Sequence, residues 1–370
     1  MKFALFYEIP VPRPWTPGKE QAALKNTIEQ AVFGEEMGFH SFWTVEHHFL
    51  DEFSHCSNPE ILYGAIAART SRLRIGYGVR LTPKPYNHPI RTAESVATLD
   101  NISDGRVDWG TGRSATRLEL EGFGINPHET REMLGEAIDH VVGMWTNDEY
   151  EFEGKYWSMP RRRVHPKPVQ DPHPPIWSAT TSIDGHFEIG KMGVGLLSFS
   201  VGVPPEDLIP RVESYRKGLA ECAKPKGAIL NDRVATFTMA HCAATNDQAF
   251  EEAADSMVWY PKHGVEIIGA TADYARQFQE DLGTYHYTEQ SKQIANQKGA
   301  LDGLDFNYIK ESAAAMVGDP DRCIEIGKRY EAAGCELLFC LLNPYDISHE
   351  QVMNSIEHFG KYVIPEFEND

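Results

Sequence analysis

Apolar residues in this chain come in short continuous runs, separated by longer segments where they recur every three or four positions. The first run, FALFYE at 3–8, is cut off by the proline-rich VPRPWTPG. Residues 19–37 then carry Leu24, Ile28, Ala31 and Val32 at helical spacing and stop at Gly38, a residue suited to the left-handed end of a helix. The alternation continues with FHSFWTV, a helix opened by Asn58-Pro59, LRIGYGV, a helix over 88–99, VDWGTG and a helix over 130–145. Later come IWSAT, a helix to Met192, VGLLSFS, a helix over 204–222, VATFTMAHCAA, a helix over 246–260, a helix over 320–333, ELLFCLL and a last helix from Ser348. Strands that are apolar at nearly every position are buried on both faces, as in a parallel sheet. Eight such runs alternating with helices predict an α/β fold, a TIM (β/α)8 barrel, as one domain over 1–370. Two segments break the rhythm. Residues 159–175, MPRRRVHPKPVQDPHPP, predict a long surface loop. Residues 261–310 are polar and aromatic without a period, and predict an insertion after the seventh strand that serves as a lid or substrate region. A doubly wound open sheet fits less well, because no GxGxxG loop follows the first strand.

Composition narrows the function classes. The 370 residues are 41% hydrophobic and 24% charged, with a formal net charge of −19. So acidic a chain repels nucleic acid and anionic membrane surfaces. The acids are scattered along helical stretches such as 119–131 and 249–255. Six cysteines at irregular spacing, with no CxxC, predict reduced thiols and a cytoplasmic protein. The N-terminal apolar run is too short for a signal peptide, and no run reaches the roughly 18 residues of a membrane span.

In a TIM barrel the chemistry sits at the C-terminal ends of the strands. The polar residues just past the predicted strands are Glu8; Glu46, His47 and His48; Arg80 and Thr82; Arg113 and Ser114; Thr180, Thr181 and Ser182; Ser198 and Ser200; His241; and Asn343. An arginine with hydroxyls and backbone N–H groups at a helix start forms an anion site, typically for phosphate, which points to Arg113, Thr181 and Ser182. A surface ion pair is the competing reading for Arg113. A histidine at a strand end can act as a general base or be a hydrogen-bonded structural residue. Adjacent His47 and His48 point to opposite sides of an extended chain, so at most one of them faces the site. The same geometry argues against a metal, since the two cannot easily ligate one ion and neither HExxH nor CxxC occurs. The glycines of Gly76-Tyr77-Gly78-Val79 permit close approach of a flat ligand, or simply tight barrel packing. Tyr7, Tyr63, Tyr86 and Phe199 form either an aromatic rim for an apolar substrate or part of the core.

These residues fall into blocks that together resemble the bacterial luciferase-like flavin monooxygenases, the luciferase α-subunit among them. The blocks are MKFALFYE, EEMGF-x-x-FWTVEHHF at 35–49, NHPIRTAE-x-x-x-x-LD at 87–100, SDGRVDWGTGR at 103–113, FG-x-x-x-x-x-x-R at 123–131, WSATTS at 177–182 and VGDPDRCIE at 317–325. The resemblance implies a barrel that takes reduced FMN as a diffusible cosubstrate from a separate flavin reductase. Oxygen then adds to the flavin as a C4a-peroxide, which oxygenates a small organic substrate. It implies catalytic roles for His47, as base, and for His48. It implies phosphate contacts at Arg113, Arg131, Thr181 and Ser182, and a non-proline cis peptide at Gly78-Val79 beside the flavin ring. Gly112 stands where luciferase has a reactive cysteine, which sets this chain apart from aldehyde chemistry. The family also implies a homodimer. A deazaflavin-dependent dehydrogenase or reductase on the same fold, or a flavin-binding protein without catalysis, are the alternatives.

Overall fold

The structure, a computed structural model, describes residues 1–199, 201–269, 271–278 and 305–367. Among these, twelve strands form: β1 (Lys2–Tyr7), β2 (Ser41–Thr44), β3 (Arg74–Tyr77), β4 (Arg80–Leu81), β5 (Val107–Gly112), β6 (Tyr150–Glu153), β7 (Ser158–Arg162), β8 (Ile176–Thr180), β9 (Gly195–Ser198), β10 (Val234–Cys242), β11 (Met316–Gly318) and β12 (Leu337–Leu341). Eight of them, β1, β2, β3, β5, β8, β9, β10 and β12, pair in parallel in that order, and β12 returns to β1. This is the closed (β/α)8 barrel, and each of the eight apolar runs supplies one of its strands. The interior is aromatic. Trp43 meets Phe339 at 4.8 Å and Trp177 edge-on at 5.8 Å, and Phe6 stacks on Phe339 at 5.6 Å. Gly76 is required by this packing, because a Cβ there would lie 2.0 Å from the Trp43 indole. At the N-terminal end of the barrel, Asp108 accepts from Arg74 Nε at 2.6 Å and from Trp177 Nε1 at 2.9 Å. These contacts close that end, and in this fold the opposite, C-terminal end carries the chemistry.

Several elements depart from the expected pattern. Pro160–Arg162 do not begin a loop. They lie in β7, which pairs antiparallel with β6 as a separate two-stranded hairpin. Proline is tolerated on so short an edge. The helix predicted over 246–260 runs on to Gly269, straight through Pro261. Packing overrides the helix-breaking residue, since Phe53 and Tyr345 stack on the Trp259 and Tyr260 rings just before it. The predicted insertion therefore begins later than residue 261. Beyond helices Thr271–Ala275 and Phe306–Ser312 it lies outside the described residues. The short β11, which pairs with the upper half of β10, was not evident in the sequence. Asn58 occupies the N-cap of helix Pro59–Ala67 but makes no side-chain cap bond. Tyr7 and Tyr63 are core rather than rim: Tyr7 stacks on Phe42, and the Tyr63 hydroxyl donates to Thr44 O. All six cysteines are free thiols. Among the described residues, no helix is long and apolar enough to cross a membrane.

Candidate active site

The C-terminal ends of the strands bring Glu8, the Glu46-His47-His48 triplet, Gly78-Val79, Gly112-Arg113-Ser114 and Thr180-Thr181-Ser182 to one mouth. His47 is its centre. Its backbone N–H bonds to Cys56 O at 2.9 Å, and its Nδ1 lies 2.8 Å from Glu119 Oε1. Glu119 is fully buried and fully satisfied. Besides His47 it accepts from the His48 backbone N–H at 3.0 Å, the Ser114 hydroxyl at 2.7 Å and the Thr116 hydroxyl at 2.6 Å. On the other side of the ring, Nε2 lies 3.6 Å from Glu8 Oε2, too long for a hydrogen bond. Glu8 is buried, and its Oε1 accepts from the Tyr260 hydroxyl at 2.9 Å.

The electrostatics follow from this arrangement. Burial alone would lower the pKa of His47. The carboxylates of Glu119, Glu8 and Glu46 outweigh it and push the ring up to about 9. Burial works against ionised Glu119 too, but the His47 ring and the hydroxyl donors hold it below the ordinary carboxylate range. For Glu8 burial wins, and its carboxyl is raised despite His47 and Tyr260. The carboxylates on either side therefore favour the protonated ring of His47, with Nδ1 on Glu119 and Nε2 facing Glu8.

Glu119 is the residue sequence reading missed. The sequence places it among the acids scattered along a helical stretch over 119–131. Instead the chain forms a short helix, Arg117–Gly122, then a break, then helix Thr130–Thr146. The signal was Thr116-x-x-Glu119, a capping-box spacing. Thr116 does cap the helix, accepting from Glu119 N at 3.3 Å. The glutamate side chain, however, turns into the barrel mouth towards His47 rather than back onto the cap backbone. Ser114, which reaches it, has a left-handed backbone with φ of 66°.

His48 lies differently. Its ring stacks on Tyr86 at 5.8 Å and meets Phe123 edge-on at 4.9 Å, with Nε2 3.5 Å from Glu46 Oε1. This is a packing environment away from the Glu8–His47–Glu119 line. Glu46 accepts from Leu81 N at 2.8 Å and Asn87 Nδ2 at 2.9 Å, tying the end of β2 to β4. Between β3 and β4 the Gly78–Val79 peptide is cis. A Cβ on Gly78 would lie 3.1 Å from Phe6, and one on Gly112 would lie 2.2 Å from Val79 Cγ2. The cis segment therefore fills the space that a side chain at 112 would need.

The residues expected to meet an anion follow the next strand ends. Thr111 pairs with Ser178, and Arg113 and Thr181 each come just after the ends of these neighbouring strands. Arg113 Nη1 bonds to Thr130 Oγ1 at 3.3 Å, and Arg131 follows at the exposed start of helix Thr130–Thr146. Ser182 caps helix Ile183–Met192, accepting from Gly185 N at 3.1 Å. Buried His186 supports it with a 2.6 Å bond from Nδ1 to Ser182 O and a 2.8 Å contact from Nε2 to the Ser198 hydroxyl. Arginines and a helix N-terminus are the groups that commonly hold a phosphate. Among the described residues, no group of three His, Cys, Asp or Glu side chains converges on a metal position.

Comparison with known proteins gives the family. Residues 1–337 match the luciferase-like monooxygenase family. The oxygenase component of a flavin-dependent trigonelline monooxygenase from Acinetobacter baylyi is 32% identical over 188 residues, about half of each chain (50% and 51%). A 4-hydroxyprotoasukamycin monooxygenase from Streptomyces nodosus subsp. asukaensis is 25% identical over 93% of this chain and 87% of its own. Among solved structures, the oxygenating constituent of 3,6-diketocamphane monooxygenase from Pseudomonas putida, in complex with FMN, superposes with a TM-score of 0.75 at 21% identity, covering 99% of this chain and 98% of its own. An F420-dependent secondary alcohol dehydrogenase superposes with a TM-score of 0.71 at 20% identity, covering 100% of this chain and 99% of that one. With a match over nearly the whole barrel, the chain belongs to the luciferase-like monooxygenase family.

Proposed function

We propose that this protein is the oxygenase of a two-component, FMN-dependent monooxygenase acting on a small, largely apolar organic substrate. The observation that carries the reading is the placement of His47 between buried Glu8 and Glu119 at the same barrel mouth as Arg113. The residues present fit FMN. Arg113, Arg131, Thr181 and Ser182 would hold its phosphate. Gly78 and Val79 would lie behind the ring, with half-buried Ala179 and Phe199 beside them and Gly112 leaving room for Val79. When bound, reduced FMN supplies the electrons that activate dioxygen. The protein's part is to orient, to exclude water and to hold a proton at His47 Nε2. Glu119 keeps that proton in place by fixing the ring through Nδ1. A separate reductase would deliver the reduced flavin, as the description of the Acinetobacter relative as an oxygenase component supports. The protein would act as a homodimer.

These phosphate contacts give a direct test, because riboflavin lacks the phosphate. Arg113→Ala is expected to weaken FMN binding by about tenfold or more and to leave riboflavin binding unchanged. Equal loss for both flavins, or for neither, would contradict the assignment. Hydride transfer with a deazaflavin is the second reading, supported by the superposition on the F420 enzyme. Saturable binding of photoreduced FMN, with oxygen uptake whose course differs from that of free reduced FMN, separates the two.

A further inference from the structure

The Glu8 end of the mouth is unfinished as a hydrogen-bonding site. Glu8 Oε2 is buried and has no hydrogen-bond partner among the described residues. His47 is a fifth exposed, and its Nε2, 3.6 Å away, makes no hydrogen bond among the described residues. A buried carboxyl oxygen left unpaired costs stability, so its retention calls for a reason. Around this pair the walls are aromatic. Phe53 lies edge-on to the His47 ring at 6.4 Å and stacks on Tyr260 at 5.0 Å and 18°. Tyr260 reaches Phe237 at 6.3 Å, and Phe237 reaches half-buried Phe199 at 5.2 Å.

We propose that the substrate is a hydroxyl-bearing aromatic, or similarly flat apolar, molecule whose hydroxyl is gripped by Glu8 Oε2 and His47 Nε2. The inference rests on the reading of this mouth as the oxygenase active site. A hydroxyl both donates and accepts, so it satisfies the pair whether or not Glu8 is protonated. An ether or carbonyl oxygen only accepts, and leaves an ionised Glu8 unpaired. A flat ring would suit these aromatic surroundings, in which Phe53 and Tyr260 are buried and Phe199 is half-buried. Tyr260 holds Glu8 in register through Oε1, and Glu119 does the same for His47. Sites built to bond a substrate hydroxyl discriminate strongly against the analogue that lacks it.

The test uses naphthol, its methyl ether and naphthalene as probes, with equilibrium binding measured on the whole protein. Naphthol is expected to bind at least about tenfold more tightly than the ether or the hydrocarbon. In Glu8→Leu that preference is expected to vanish while naphthalene affinity holds or rises. If Glu8→Leu does not fold, Tyr260→Phe, which releases Glu8 Oε1, is expected to shrink the preference. Failure of naphthol to bind, equal binding of the three probes by the unaltered protein, or a preference that survives in the variants would overturn the proposal. FMN binding is read separately on the same samples. Its loss alone would sink the flavin reading, while the probe series still decides the hydroxyl site.

Discussion

A histidine in water is largely neutral at pH 7, whereas His47 carries its proton to about pH 9 because buried carboxylates face both ring nitrogens. As its folded pKa lies above the ordinary 6.5, its contribution to stability is full below that value and is lost as pH rises through about 9. The same sign governs catalysis. With His47 as the proton donor, turnover is expected to hold at neutral pH and to fall as pH rises through about 9. His47→Ala should keep FMN binding and lose product formation, and undiminished turnover would remove the residue from the mechanism. Glu119→Gln is expected to move the alkaline fall to lower pH. Breaking a buried pair should also cost about 3–5 kcal/mol, read by urea denaturation. At this scale the sequence was partly legible. His47 and Glu8 could be found because they directly follow apolar strands. Glu119 could not, because its approach depends on a short helix and a left-handed Ser114 in a segment with no strong period.

Among the elements, the segment joining β3 to β4 shapes the floor of the mouth. Its Val79 occupies the space that a cysteine would take at Gly112, which gives a physical reason for the departure from luciferase noted in the sequence. Gly112→Cys is therefore expected to destabilise the protein by about 1–3 kcal/mol, seen as a lower Tm. Adding Val79→Ala should recover much of that loss, and additivity of the two changes would show that the contact does not matter. The eight barrel strands were legible because strands buried on both faces need apolar residues at nearly every position. The β6–β7 hairpin was not, because it is exposed and its strand residues, SMPRR among them, are largely polar. The length of helix Asn246–Gly269 was hidden by Pro261, whose local signal was outweighed by aromatic packing.

Over the whole molecule the work is divided between the two ends of the barrel. The N-terminal end is closed by the Asp108 cluster, and the C-terminal end collects Glu8, His47, Glu119 and Arg113 from segments far apart in the chain. The net charge of −19 disfavours binding of extended polyanions. The most direct test is to titrate the protein with photoreduced FMN without oxygen, then admit oxygen and record its uptake. Saturable binding of reduced FMN, weakened by Arg113→Ala and followed by oxygen uptake whose course differs from that of free reduced FMN, is the expected result. No binding of reduced FMN, or saturable binding of reduced deazaflavin alone with no oxygen uptake, would contradict it.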